Sequence, residues 1–409
     1  MTKPFAYCPD RKDWQHTQLR SFLTRSRRRD RSDLPLLSVN LPQGVVPRFE
    51  GDGRPAPSED LSSYQVVRKG DLVMNQLGKP HGAIGVSGHD GIISPAYFVA
   101  NIAANAEPRF VHHLLRTRLY ISEYERRGKF MPPSQFDISW EDFRSISVVM
   151  PPLAAQRAIA DYLDREAARI DALIAAKRRM VELLEERAVA FIEDSARDAG
   201  WESAVLTRVI RRIEQGWSPQ CDARLPDENE WGVLKVGCVN HGEFKADDAK
   251  ALPVELAPRE EYRVRDGDLL MSRANTRDLV GSTAVVSGVR PKTLLCDKLY
   301  RILLDERKAT PRFVSLWLQT RAARSHLELE ATGASDSMQN IGQDTVRRVT
   351  IPLPTREQQE AFVARCDQER TQIRKLVGAI QQQIRLLQER RQALITAAVT
   401  GDLDIAERA

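Results

Sequence analysis

Along residues 151–195 the apolar positions recur in steps of three, four or seven: Leu163, Ile170, Leu173, Met180, Leu184 and Phe191. Residues 354–398 repeat that register with Cys366, Ile373, Leu376, Ile380, Leu387 and Leu394. Each stretch opens on a proline, which suits a first helical turn, and Gly378 is the one interruption by Gly or Pro before the far end. The spacing predicts two long helices whose apolar stripe is narrow enough to be a coiled-coil seam. Glu166 and Glu369 fall on that seam near the start of each helix. Lys177 and Gln383 interrupt it where their counterparts Ile380 and Met180 do not, a pattern that sets the register between unlike helices. A helix of about 45 residues spans roughly 68 Å.

Outside these stretches the pattern changes to short alternating apolar runs divided by Gly and Pro, such as Gly82-Ala83-Ile84-Gly85-Val86 and Gly281-Ser282-Thr283-Ala284-Val285-Val286. Helical spacing returns only near 108–126 and 309–329. These regions read as mixed α/β heads with strongly curved sheets.

The chain is written twice. Pro151, Gln156, Ala158 and Asp164 recur as Pro354, Gln359, Ala361 and Asp367, and Leu183, Leu184, Glu186 and Arg187 recur as Leu386, Leu387, Glu389 and Arg390. In the heads, Gly70-Asp71-Leu72-Val73-Met74 returns as Gly267-Asp268-Leu269-Leu270-Met271, and Leu36-Leu37-Ser38-Val39 as Val233-Leu234-Lys235-Val236. Trp14 has its counterpart in Trp201. The order is head 1–150, helical spacer 151–200, head 201–353, and helical region with tail 354–409. A second helix that packs on the first must run back along it. The expected fold is therefore α+β, with two mixed α/β heads related by an approximate two-fold axis and separated by two long antiparallel coiled-coil helices.

Composition narrows the class without naming it. Hydrophobic residues at 42% and charged residues at 29% describe a folded chain. No apolar run approaches the roughly 20 residues that cross a bilayer. Met1 to Asp13 shows no signal-peptide pattern, so a cytoplasmic protein is expected. The five cysteines (Cys8, Cys221, Cys238, Cys296, Cys366) form no C-x-x-C pair, which speaks against a zinc site or a disulfide framework. A net charge of +5 is compatible with nucleic acid without requiring it. More telling is the cluster of Arg25, Arg27, Arg28, Arg29 and Arg31.

The layout resembles the specificity subunits of type I restriction-modification systems, in which two target recognition domains alternate with two helical regions. The resemblance covers nearly the whole chain. It rests on the proline-to-glutamine start of each helix, the Gly-Asp-Leu-hydrophobic-Met strand of each head, and the C-terminal Leu394-Ile395-Thr396-Ala397-Ala398-Val399-Thr400-Gly401. It departs from the family before the glutamine, where the usual Glu is Ala155 in one copy and Gln358 in the other. The resemblance implies a non-catalytic subunit whose heads each read one half of a bipartite, asymmetric double-stranded DNA site. It further implies two modification subunits that dock on the helices and methylate adenine at N6, and restriction subunits in the same complex. Those partners would use S-adenosylmethionine, ATP and Mg²⁺, and this chain would hold no cofactor or metal of its own.

Searched for catalytic chemistry, the chain has no Asn/Asp-Pro-Pro-aromatic tetrapeptide and no phosphate-binding Gly-x-x-x-x-Gly-Lys-Ser/Thr loop. The seven histidines show no metal-ligand spacing. Pro226-Asp227 followed by Glu243-Phe244-Lys245 or Asp248-Ala249-Lys250 matches a metal-nuclease signature formally, but the pattern is short and permissive and reads as charged surface loop. For base contact, Arg, Lys, Asn, Gln, Ser and His on loops are the candidates: Arg28, Lys79, His81, Lys129, Ser134 and Gln135 in the first head, and Arg273, Asn275, Arg277, Ser335, Gln339 and Asn340 in the second. Leu163, Ile170, Leu173, Met180, Leu184, Ile373, Leu376, Ile380, Leu387 and Leu394 are the candidates for the helix seam and partner docking. The competing reading is an adaptor whose coiled coil joins two protein-binding heads.

Overall fold

The computed structural model describes residues 13–40, 43–49, 60–76, 83–131, 135–335 and 338–405. By internal contacts the chain forms two units, one of Met1–Lys177 with Gln381–Ala409 and one of Arg178–Ile380. Each unit therefore holds one head and one half of each long helix, Leu153–Asp198 and Arg356–Thr400. The α+β fold class expected from the sequence is the one observed.

The two heads share one topology. In the first, a four-stranded sheet runs in the order Leu23–Arg25, Tyr97–Ile102, Leu72–Asn75, Ile84–Val86. In the second the same order is built from Ile210–Gln215, Leu299–Leu304, Leu269–Ser272 and Thr283–Val285. All neighbours are antiparallel. In each head a further pair closes the unit against the start of its long helix: Gln15–Gln18 with Ser147–Met150, and Ser203–Val205 with Thr350–Pro352.

The repeated Gly-Asp motif now has a physical cause. Gly70 and Gly267 sit at φ 92° and 94°, a left-handed conformation that favours glycine. The next residue turns its carboxylate back onto the loop, where Asp71 accepts from the Arg68 amide at 2.8 Å and Asp268 from the Arg265 amide at 2.9 Å. The strand that follows then places Leu72 and Met74, or Leu269 and Met271, in the core.

The proline-to-glutamine motif is a clasp. Gln156, buried, accepts from the Glu107 amide and donates to the Pro151 carbonyl, both at 2.8 Å. Gln359, also buried, accepts from the Thr310 amide at 2.9 Å and donates to the Lys308 and Pro354 carbonyls at 2.7 and 3.0 Å. Each glutamine thus satisfies a helix-start amide of its head from the first turn of the long helix.

The helical stretch of each head is two helices, Pro108–Leu115 with Arg118–Arg127 and Pro311–Leu318 with Arg321–Leu329. They divide at Thr117 and Thr320, whose hydroxyls donate to the Leu114 and Trp317 carbonyls. Both long helices enter the head cores. Ile159, Leu163, Ile395 and Val399 pack with Trp14, Phe110 and Phe143, while Ile192, Phe362 and Cys366 pack with Phe313 and Tyr300.

Within each unit the long helices run antiparallel. Asp171 pairs with Arg391 at 3.3 Å and Lys177 with Gln383 at 2.6 Å in the first unit. In the second, Glu369 meets Arg187 at 2.8 Å. The two polar residues that interrupt the stripe are thus partners across the seam. The seam register needs correcting, however. Leu173, Met180 and Leu376 are 45%, 52% and 53% exposed. Leu163, Ile170, Ile373 and Ile380 are buried and Leu184, Leu387 and Leu394 half-buried. The buried stripe instead includes Ala167 and Ile174, one residue on from Glu166 and Leu173. With 3.6 residues per turn, alternating steps of four and three keep one face inward, and the apolar Leu173 and Leu376 fall just outside it.

Candidate nucleic-acid interface

In the second head the strand Leu269–Ser272 leads into a closed loop. The Ser272 hydroxyl donates to the Leu279 carbonyl at 2.7 Å, and the Gly281 amide returns to the Ser272 carbonyl at 2.8 Å. Inside that loop, Ala274–Asn275 pairs with Met338–Asn340, which in turn pairs with Thr332–Ser335. Candidates separated by some sixty positions in the chain therefore meet on one three-stranded sheet: Asn275 lies opposite Gln339, and Ser335 opposite Met338. Asn340 is half-buried on the same strand. Arg273 is anchored at the edge, with its Nη1 donating to the Asp297 carbonyl at 3.3 Å and its guanidinium 6.0 Å from the Tyr300 ring centre. Arg277 is exposed in the turn that follows Asn275.

One residue of this cluster was not among the sequence candidates. Asn240 accepts from the Asn275 side chain at 3.2 Å. It precedes His241 and Gly242, both in the left-handed region at φ 63° and 78°. A positive φ at a non-glycine residue beside a glycine marks a tight polar turn, and the Asn-His-Gly triplet was the available signal.

The first head offers a shorter counterpart, the hairpin of Lys129–Met131 with Gln135–Asp137, on which Lys129 is exposed. Lys79, His81 and Ser134 lie outside the described residues. Arg28 is a correction. Its guanidinium is taken by the buried Asp71, which also accepts from Asn101 at 2.8 Å, so it stiffens the Gly-Asp turn instead of facing a groove. Burial lifts the Asp71 carboxyl above its ordinary value, opposed by the Arg68 amide and Arg28. Of the neighbouring arginines, Arg25 lies 5.1 Å from the Phe98 ring centre and Arg31 pairs with Asp33 at 2.7 Å. Arg27 and Arg29 are exposed.

The carboxylates of the formal nuclease signature are separately engaged. Asp227 lies 4.0 Å from Arg224, Glu243 3.0 Å from Arg374, and Asp248 3.3 Å from Lys235. Among the described residues no group of His, Cys, Asp and Glu is placed to hold a metal ion, and no helix is long and apolar enough to cross a membrane.

No protein-family profile matches the chain. It is 34% identical over 177 residues to the type I restriction enzyme EcoEI specificity subunit of Escherichia coli, a match that covers 41% of this chain and 30% of that relative. It is 21% identical over 339 residues to the EcoKI specificity subunit of Escherichia coli strain K12, covering 76% of this chain and 70% of the relative. The StySPI specificity subunit of Salmonella potsdam matches at 21% over 345 residues, with the same coverage. A solved structure described as showing complex assembly and conformational transition of the type I R-M system superposes with a TM-score of 0.68 at 20% identity, over 96% of this chain and 99% of that one. The resemblance to type I specificity subunits read from the duplicated motifs is thereby shown, in named relatives and in fold. Those relatives are named as specificity subunits.

Proposed function

We propose that this chain is the DNA-reading specificity subunit of a type I restriction-modification complex. The observation that carries the proposal is the repeated unit of one head and one helix start, each head carrying a hairpin after its divided helix. Residues 1–150 and 201–353 act as target recognition domains, one for each half of a bipartite, asymmetric DNA site. Residues 151–200 and 354–409 set the gap between the halves. In the second head Arg273, Asn275, Gln339 and Asn340 read base edges, and in the first Lys129 and the Gln135 strand serve the same purpose. The exposed Leu173, Met180 and Leu376 dock two modification subunits, which bring S-adenosylmethionine and methylate adenine at N6. Restriction subunits using ATP and Mg²⁺ complete a cytoplasmic complex, and this chain catalyses no step.

The test is a methylation map of the source genome with and without this gene. Loss of N6-methyladenine at one gapped, two-part motif is the expected result. Retention of every methylated motif in a strain that methylates DNA would overturn the proposal.

A further inference from the structure

One seam position carries opposite residue types in the two helices. Ala167 is buried in the first unit, and its counterpart in the second is Arg370. Arg370 donates through Nη2 to Gln319 Oε1 at 2.9 Å, a neutral acceptor. Its Nη1 is buried with no partner among the described residues. Gln319 is itself held in place, donating through Nε2 to the Ser315 carbonyl at 2.9 Å and lying against Gly242, where a Cβ would come within 2.1 Å of its Oε1. Arg312, Arg370 and Arg374 line one cavity of about 400 Å³ together with Gly242, Phe244 and Glu243, whose carboxylate is on the wall itself. The nearby carboxylates are committed, Asp367 to Arg312 and Glu243 to Arg374. Burial, and then repulsion from Arg312 and Arg374, draw the Arg370 guanidinium below the usual arginine value. A buried cation with an unmet donor is among the least stable arrangements a protein keeps, and it becomes favourable when an anion arrives.

We propose that this cavity is an oxyanion site that takes one phosphate group, with Arg370 as its buried donor and Arg312 and Arg374 at its rim. Guanidinium groups converging from several sides suit a tetrahedral oxyanion, whose oxygens accept in several directions. A backbone phosphate of double-stranded DNA and a free phosphate share this chemistry. The DNA backbone is favoured by position, because Gly242 on the cavity wall belongs to the same turn as Asn240, the partner of Asn275. That choice of source rests on the DNA-reading function, whereas the site itself does not.

The experiment uses the full chain as wild type, Arg370→Met and Arg374→Gln. Thermal melting is followed in inorganic phosphate and in sodium chloride of equal ionic strength. Phosphate is expected to raise the melting temperature of the wild type, and Arg370→Met to weaken that response at least about ten-fold. In phosphate-free buffer Arg370→Met should melt no lower than wild type, since it removes a half-buried charge whose Nη1 meets no partner among the described residues. Identical wild-type melting in phosphate and chloride overturns the site. In a second arm, DNA affinity is measured against salt, and Arg370→Met and Arg374→Gln should each reduce the slope by about one phosphate contact. An unchanged slope with a retained phosphate response overturns the DNA source in favour of free phosphate. A wild type that binds no DNA but responds to phosphate defeats the DNA-reading function and leaves the site standing.

Discussion

The two heads are built on one frame and differ where the frame ends. Both hold a Gly-Asp turn, a glutamine clasp and a divided helix, and both tie an arginine of that helix to an aspartate of the long one. Arg109 reaches Asp161 and Asp164 at 2.8 and 3.0 Å, and Arg312 is paired with Asp367. Behind that shared strap the chemistry diverges. His112 and Arg116 of the first head stand where the second has Ser315 and Gln319. Arg301 serves Asp268 and Glu214 in the second head, a task divided between Arg28 and Asn101 in the first. The positions that join head to helix repeat because both copies solve the same packing problem. Those that face outward, or lie behind the outward loops, are released from it.

The largest expected difference between the heads is in acid. Val86 donates its amide to His112 Nδ1 at 3.1 Å, which requires an unprotonated nitrogen there. Burial first, then repulsion from Arg116 and His113, pull His112 to about 3, against a weaker opposing pull from Asp164. The folded value lies below the unfolded one, so this contribution to stability is whole above about pH 6.5 and is lost as pH falls below it. Between pH 7.5 and 4 the first unit should lose up to about 3 kcal/mol beyond the second. Hydrogen exchange followed by mass spectrometry reads each unit separately, and His112→Ser, which copies the second head, should remove the difference. Equal acid sensitivity of the two units would contradict the role given to His112.

The glutamine clasps should differ by a smaller amount. Gln359→Leu leaves one amide and two carbonyls without their bonds, and Gln156→Leu one of each, so about 2–3 kcal/mol is expected for the former and about 1–2 kcal/mol for the latter. Denaturant unfolding of the full chain checks both values and their order.

The smallest effect should be the most selective. Asn275→Ala removes one candidate base reader and is expected to relax discrimination by about 1–2 kcal/mol at a position in one half of the DNA site. Methylation maps made with the variant should show degeneracy in that half alone. Degeneracy in both halves would break the proposed division of labour between the heads.

Legibility differed between frame and site. The duplication, the long helices and the Gly-Asp strand could be read from the chain because each repeats in order. A further repeat was available and unread: Pro108-Arg109-Phe110-Val111 returns as Pro311-Arg312-Phe313-Val314, and it carries the strap arginines. In the first helix the seam runs through Ile174, one residue past the apolar Leu173, and through Ala167, which adds little to an apolar pattern. Lys177 and Gln383, read as interruptions, proved to be partners, a pairing that neither helix shows alone. Of the base-contact candidates, Asn275, Gln339 and Ser335 were brought onto one sheet, whereas Arg28 was claimed by Asp71.

The sequence by itself determined that there are two heads and two helices, and which core residues recur, since hydrophobic period and repetition are local properties of the chain. Only the tertiary structure decided which charges are spent and which remain. Arg28 and Arg370 are both arginines in basic neighbourhoods, yet one lies on a buried carboxylate and the other lines a cavity with Arg312 and Arg374. That difference depends on what distant segments bring within hydrogen-bonding distance, and no spacing along the chain encodes it.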